Sequence, residues 1–169
     1  MVRCRVDEAV TPADAARLWP VYDAVFGDRP DEATWRAAVW DRHSARAGFR
    51  LARAFDDDAL VGFAYGYTGD HGQWWTDAVC AVLRPDVAAD WLGGHFELVS
   101  IGVLDTARGR GTGRCLLRAL LDGLQHDRLL LMTTADPEDP ARRLYACDGW
   151  TVLGPGTGEG TVTMGRRAG

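Results

Sequence analysis

The spacing of apolar and polar residues along this 169-residue chain predicts strands that alternate with helices. Apolar residues three and four positions apart indicate helices, and short unbroken or alternating apolar runs indicate strands. The predicted strands are residues 3–6, 49–55, 60–67, 96–103, 129–134, 150–153 and 161–164, and the predicted helices begin at Thr11-Pro12, span 31–44 and 111–124, and begin again at Asp139-Pro140. Pro20 is expected to kink or interrupt the first helix. Residues 69–75 are predicted to be a loop, and the pattern over 76–92 is mixed, with a helix as one interpretation.

The second half of the chain carries the clearest pattern. A strand, a helix, a second strand and a second helix follow one another over residues 96–149. Such an order predicts a crossover unit in which the two strands are parallel neighbours. In the last helix, Asp139 can cap the free amides, Pro140 fits the first position, and Gly149 can end the helix in a left-handed conformation.

Composition and charge narrow the class of protein. The chain is 47% hydrophobic and 25% charged, which is typical of one globular domain spanning residues 1–169. No segment has the roughly 20 apolar residues that a membrane span needs, and the N-terminus lacks the apolar core of a signal peptide. We therefore expect a cytoplasmic protein. The net charge of −5 argues against nucleic acid as a partner and suits a cationic small molecule better. Four scattered cysteines and four scattered histidines predict no metal site.

The segment 108–114, with the sequence RGRGTGR, lies where a predicted strand ends and a predicted helix begins. Three alternate glycines allow a tight bend and a close approach of backbone to ligand. Amides at a helix N-terminus favour an anion, and arginines add donors for phosphate oxygens. The alternative is a glycine-rich turn whose arginines only face solvent. A P-loop is excluded because Arg114-Cys115 follows Gly113, and Arg114 also breaks the dinucleotide fingerprint.

The remaining pattern, Arg108-x-x-Gly111-x-Gly113, resembles the acyl-CoA signature of the GNAT superfamily of N-acetyltransferases. The resemblance extends upstream over 97–103 and downstream over 139–145 to Gly149-Trp150, so it covers about residues 96–153. It implies an α/β (α+β) fold with a mixed, mostly antiparallel sheet of about six to seven strands. The strands at 96–103 and 129–134 would be parallel and splay apart, and about four helices would flank the sheet.

The resemblance also implies how acetyl-CoA is held. The glycine turn would bind its pyrophosphate, and the backbone before the turn would pair with pantetheine like an added strand. The residues so implied are Arg108, Gly109, Arg110, Gly111, Thr112, Gly113 and Arg114 for the pyrophosphate, and Ile101, Gly102 and Val103 for pantetheine. Asp139 stands where the family often has Asn near pantetheine. An ionised Asp keeps the helix cap but cannot donate a hydrogen bond.

Two residues match catalytic positions of the family. Tyr145 occupies the position of a tyrosine that protonates the departing thiolate, although a packed helical tyrosine is the alternative. Glu97 lies eleven residues before Arg108, at the spacing of a general base in some members. Its alternative is an acid at the solvent end of the strand, because an unpaired buried charge is costly. His95 and Ser100 are weaker candidates for the base.

The resemblance implies acetyl transfer to a primary amine of a small molecule, such as a cationic amine or an antibiotic, by direct attack in a ternary complex. A non-catalytic acyl-CoA-binding or regulatory module and an enzyme acting on protein amines are the alternatives. A covalent acyl-cysteine is not expected, since neither Cys115 nor Cys147 has an evident histidine partner. Trp74 and Trp75, with Asp70 and Asp77, would line a site for a cation or else pack under a loop. By the same resemblance the chain would form a homodimer.

Overall fold

A computed structural model describes residues 1–168 of the chain. The strands are β1 (Val2–Asp7), β2 (Arg50–Asp56), β3 (Ala59–Gly69), β4 (His95–Val103), β5 (Arg128–Thr134), β6 (Thr151–Pro155) and β7 (Thr161–Arg167). The α-helices are α1 (Pro12–Phe26), α2 (Glu32–Trp35), α3 (Asp41–Ser44), α4 (Trp74–Val82), α5 (Pro85–Trp91), α6 (Thr112–Leu121) and α7 (Pro140–Cys147). A π-helical turn, Arg36–Trp40, joins α2 to α3, and a 3-10 turn, Asp105–Ala107, precedes α6.

The strands form a seven-stranded mixed sheet in the order β1-β2-β3-β4-β5-β7-β6. The pairs β1–β2, β2–β3, β5–β7 and β6–β7 are antiparallel, whereas β4 and β5 are parallel. The parallel register pairs Phe96 with Leu129 and Glu97 with Leu130. The predicted fold class, including the parallel pair and the hairpin of β2 and β3, is therefore confirmed.

Two helical segments differ from the sequence predictions. Helix α1 continues through Pro20 without interruption. Leu18 and Val21, on either side of the proline, are buried in the core, and their packing offsets the hydrogen bond that proline cannot make. The segment at 76–92, for which a helix is one interpretation, lies in α4 and α5, whereas the predicted loop at 69–75 is wrong at its end because α4 begins at Trp74. These two helices raise the number of helices above the four expected. Pro85 separates these two short helices, so neither shows a long helical period.

The chain forms two compact units, one of residues 1–67 with 99–124 and one of residues 68–98 with 125–168. The first has an aromatic core whose buried members include Tyr22, Trp35, Trp40, Phe63 and Tyr65. The second has a smaller core in which α4 and α5 pack against Leu130 of β5. Within residues 1–168, no helix is long and apolar enough to cross a membrane.

A buried ion cluster fixes the start of α1 in the first unit. The Asp14 carboxylate accepts hydrogen bonds from the Thr11 amide at 2.7 Å and from Arg53 Nη1 at 2.6 Å, and Arg53 also binds Asp7. Burial of Asp14 raises its pKa, but the bonds from Thr11 and the charge of Arg53 outweigh this effect and leave the pKa below its usual value. The N-terminus of α1 is thereby attached to β1 and β2.

Candidate active site

The glycine turn of the first unit has the conformation that its sequence predicts. Gly109 and Gly111 have positive φ angles of 71° and 79°, which glycine adopts without steric cost. The Thr112 hydroxyl donates to the carbonyl of Ala107 at 2.8 Å and closes the turn from inside. Helix α6 then begins at Thr112, with Gly111 as its cap residue, one position later than predicted. The first four amides of a helix have no partner within it, so this turn presents free donors.

Space and charge at the turn fit a diphosphate. A Cβ added to Gly109 or Gly111 would meet no atom within 4 Å, so both glycines face open space. Arg114, in the first turn of α6, is exposed and forms no ion pair with any carboxylate among residues 1–168. Its guanidinium can therefore bind a ligand without losing an existing partner. The amides and this arginine together make a site for an anion.

The other two arginines of the turn already have partners. Arg108 forms an ion pair with Asp105 at 2.9 Å, and its Nε donates to the carbonyl of Val103 at 3.2 Å. Arg110 donates to the carboxylate of Asp56, in the hairpin of β2 and β3, at 2.7 Å. The bond from Arg110 lowers the pKa of Asp56 below its usual value. Arg108 thus fastens the turn to the end of β4, and a phosphate bound by Arg110 would compete with the carboxylate of Asp56.

The backbone of β4 before the turn uses its two edges differently. The amide of Leu104 donates to the carbonyl of Val61 in β3 at 2.9 Å. The carbonyl of Gly102 faces β3 as well, only 2.9 Å from where a Cβ on Gly62 would stand. Because backbone groups alternate along a strand, those of Ile101 and Val103 point away from β3. Any added strand at this edge would meet Ile101 and Val103 rather than Gly102.

Glu97 lies on β4 within the second unit, and it is only 4% exposed. Its register partner on β5 is Leu130, a buried core residue. Burial removes the interpretation of Glu97 as an acid at the solvent end of a strand. A carboxylate kept in such surroundings needs a compensating role in structure or in chemistry.

His95, the weaker candidate for the base, is fully buried two residues before Glu97. Its Nδ1 accepts a hydrogen bond from the Gly93 amide at 3.2 Å, which leaves the proton of the neutral ring on Nε2. Burial, reinforced by the charge of Arg128, lowers the pKa of His95 to about 4. The ring is therefore neutral near pH 7 and carries its proton on Nε2, for which the described residues offer no hydrogen-bond partner. Its Nε2 faces Gly69, where a Cβ would come within 2.3 Å of it, so only glycine fits there.

Tyr145 lies on α7 with 4% of its surface exposed, and its ring packs 6.0 Å from that of Trp150. Burial raises the pKa of Tyr145 far above its usual value, and the charge of Asp139 raises it further. The phenol therefore keeps its proton across the neutral range. Packing and a donor hydroxyl coexist at this residue, so its packed position does not exclude an acid role.

Asp139 caps α7 as expected. Its Oδ1 accepts from the amides of Ala141 at 2.8 Å and Arg142 at 3.3 Å. At the other end of the helix Gly149 has a φ of 84°, the left-handed conformation that the sequence predicted. Asp139 thus holds the helix that carries Tyr145, whatever its contact with pantetheine.

The two adjacent tryptophans at the start of α4, inside the segment predicted to be a loop, divide into one exposed and one packed residue. Trp74 is 74% exposed, whereas Trp75 packs on the core of the second unit, and its ring is tilted against that of His95 with the centroids 6.1 Å apart. The carboxylates of Asp70 and Asp77 accept from the amides of His71 at 2.8 Å and Gly72 at 3.0 Å, so both stabilise the turn before α4. Only Trp74 presents a free aromatic face. Among residues 1–168, no group of three or more metal-ligating side chains is close enough to hold an ion.

Sequence reasoning missed two contacts that concern the turn. One is the ion pair of Asp56 with Arg110, because the three aspartates of the hairpin looked like an ordinary polar turn. The other is a disulfide between Cys4 and Cys115. Neither leaves a sequence signal, since both join residues more than fifty positions apart.

Comparison with protein families identifies the class of this protein. The model of the acetyltransferase (GNAT) family matches residues 15–149, which span most of the chain. The chain therefore belongs to the GNAT family of acetyltransferases. Members of this family use acetyl-CoA as the acetyl donor.

Known relatives agree with this class. The chain is 35% identical over 149 residues to the GCN5-like protein acetyltransferase Rv2170 of Mycobacterium tuberculosis, covering 71% of this chain and 72% of the relative. Its fold is similar to that of a GNAT-family acetyltransferase from Streptococcus agalactiae, with a TM-score of 0.69, 12% identity, and coverage of 98% of this chain and 96% of that one. It is also similar to the ribosomal-protein-S18-alanine N-acetyltransferase of Escherichia coli, with a TM-score of 0.62, 17% identity, and coverage of 98% and 96%.

Proposed function

We propose that this protein transfers the acetyl group of acetyl-CoA to a primary amine of a small molecule, by direct attack of the amine on the thioester. The observation that carries the proposal is Tyr145, a buried and protonated phenol at the family's acid position.

Donor binding falls to the glycine turn in this proposal. The amides at the start of α6 and the guanidinium of Arg114 would hold the pyrophosphate, and Arg110 would join them after leaving Asp56. The backbone of Ile101 and Val103 would pair with pantetheine, since these residues turn their polar groups away from β3. Acetyl-CoA supplies an activated acyl group, and the protein supplies its orientation.

Proton transfer falls to two side chains of the second unit. Glu97 would accept the proton of the attacking ammonium, directly or through water, because a carboxylate is the acceptor that this chemistry needs. Tyr145 would give its proton to the departing thiolate. The high pKa of the phenol ensures that the proton is present at neutral pH, although it is released only to a strongly basic, desolvated thiolate. His95 is neutral, with Nδ1 already bonded, and is less suited to act as the base.

The acceptor class has two candidates. A cationic small amine suits the net charge of −5 and the exposed face of Trp74. A protein amine is the second candidate, and the name of the mycobacterial relative, a protein acetyltransferase, favours it. The proposal also includes a cytoplasmic location and a homodimer formed through the C-terminal strands, where β6 is the outer strand of the sheet.

The decisive experiment measures thiol release from acetyl-CoA with two matched panels, one of small amines and one of lysine and N-terminal peptides. We expect turnover with at least one small cationic amine, and loss of most of this turnover in Glu97→Gln with acetyl-CoA binding retained. Turnover on peptides alone would replace the small-molecule proposal by the second candidate. Normal binding of acetyl-CoA by calorimetry with no turnover on any amine would support a binding module instead.

A further inference from the structure

Cys4 on β1 and Cys115 in the first turn of α6 form a disulfide across 111 residues of sequence. Their Cα atoms are 6.1 Å apart, within the usual range for such a bond. The other two cysteines, Cys80 and Cys147, are exposed and free. The chain therefore contains one cross-linked pair and two unlinked thiols that serve as internal references.

The position of Cys115 connects this bond to the glycine turn. Cys115 follows Arg114 directly, and its amide donates to the carbonyl of Gly111 at 2.9 Å. The first hydrogen-bonded turn of α6 thus runs from Gly111 to Cys115 and contains the amides proposed to bind the pyrophosphate. A constraint on the Cys115 side chain acts on those amides through a single helical turn.

The other end of the bond lies on an outer strand. β1 is first in the order of the sheet, and Cys4 lies opposite Ala54 of its neighbour β2. Helix α6 packs against both β1 and β2. These contacts are noncovalent, and the disulfide adds a covalent link between the outer strand and the helix that carries the turn.

We propose that Cys4 and Cys115 are a reversible oxidation site, whose disulfide increases the affinity of the glycine turn for acetyl-CoA. This proposal rests on the proposed function only in taking the turn as the acetyl-CoA site. The oxidant is a low-molecular-weight disulfide. The thiolate of one cysteine attacks it and releases one small thiolate, and the second cysteine attacks the mixed disulfide and releases the other. The two cysteines are oxidised, the oxidant is reduced to two thiols, and the two cysteine protons end on them.

The direction of the effect follows from preorganisation. Binding a diphosphate orders the turn, and a cross-link formed beforehand reduces the entropy lost at that step. If the cross-link saves the conformational entropy of ordering one side chain, the oxidised form should bind acetyl-CoA about two- to tenfold more tightly.

The test uses the wild-type protein, oxidised with oxidised glutathione or reduced with a phosphine. Peptide mapping by mass spectrometry identifies the linked cysteines, and calorimetry gives the Kd of acetyl-CoA for each form. We expect a Cys4–Cys115 link after oxidation and a lower Kd in that form. Cys4→Ser should bind equally under both conditions, whereas Cys80→Ser and Cys147→Ser should keep the difference. Because the main comparison needs no substitution, a folding defect in Cys4→Ser does not affect it.

Two results would overturn this inference while leaving the proposed function intact. One is the absence of a Cys4–Cys115 link after oxidation, and the other is a link that leaves the Kd unchanged. Failure to bind acetyl-CoA in both forms would instead refute the role of the turn, and the coupling with it, whatever the mapping shows.

Discussion

The glycine turn at 108–114 is largely exposed and offers backbone amides, whereas Glu97 and Tyr145 are buried and offer side chains. The turn needs glycines because they permit its backbone conformation, and its arginines supply the only charged side chains. The two buried side chains need surroundings that enclose them, and those surroundings come from distant parts of the sequence. Substitutions in the first region should therefore change binding of the donor, and substitutions in the second should change the rate of transfer.

The largest expected effect is a loss of kcat, and it comes from a substitution at one of the two buried side chains, Tyr145. Tyr145→Phe removes one hydroxyl from a packed ring, so we expect kcat to fall about 100- to 1,000-fold while the Kd of acetyl-CoA stays the same. Steady-state kinetics and calorimetry measure the two quantities. Tyr22→Phe is the matched control, since it removes a phenol that binds Asp28 at 3.3 Å and should leave kcat unchanged. An unchanged kcat in Tyr145→Phe would remove the acid role.

Acid should destabilise the buried region through His95. The pKa of this ring is about 4 in the folded protein, against about 6.5 when unfolded. A group whose pKa is lower in the folded protein stabilises the fold fully above pH 6.5, and this contribution to the free energy of unfolding is lost as the pH falls towards 4. For His95 we expect this loss to be about 3 kcal/mol. Urea denaturation at several pH values measures this loss, which His95→Gln should reduce and the exposed His71→Gln should not. His43, whose pKa burial also lowers to about 4, adds to the loss in all variants.

A smaller effect is expected at the turn. Arg114→Ala should weaken acetyl-CoA binding about tenfold, because one charge-assisted contact to phosphate is lost. The exposed arginine one turn later, in Arg118→Ala, should leave binding unchanged. The free energy of unfolding of both variants should lie within about 0.5 kcal/mol of that of the wild type. Equal binding losses in the two variants would mean that the helix attracts acetyl-CoA by its general charge.

The smallest effect separates backbone shape from ligand binding. Gly111→Ala and Gly123→Ala both place a side chain at positive φ, 79° and 71°, in open space. Each should lose roughly 1 kcal/mol of stability. Only Gly111→Ala should also weaken acetyl-CoA binding, by about fivefold, since the same strain opposes the binding conformation. Equal affinities of Gly111→Ala and Gly123→Ala for acetyl-CoA would show that the backbone shape of the turn is not needed for binding.

The glycine turn, the strands around it and the cap at Asp139 were predictable because each depends on local rules. A glycine at positive φ, a proline at the first helical position and an apolar run each carry their own signal. The burial of Glu97 was not predictable, since it depends on neighbours such as Leu130 from another strand. The helices at 74–91 were only one interpretation of a mixed pattern, because Pro85 divides them into two short pieces. Helix α1 continues through Pro20 because core packing outweighs one lost hydrogen bond.

The ion pair of Arg110 with Asp56 has a consequence for turnover. In the proposed cycle two anions, the carboxylate of the hairpin and the diphosphate of the coenzyme, exchange on one guanidinium. Because Arg110 already has a carboxylate partner, it contributes less binding free energy to an arriving coenzyme than an arginine surrounded only by water would. A departing product leaves an arginine that its own chain neutralises at once. If the turn binds the diphosphate as proposed, this exchange of partners would narrow the free-energy difference between the loaded and the empty enzyme and would favour product release.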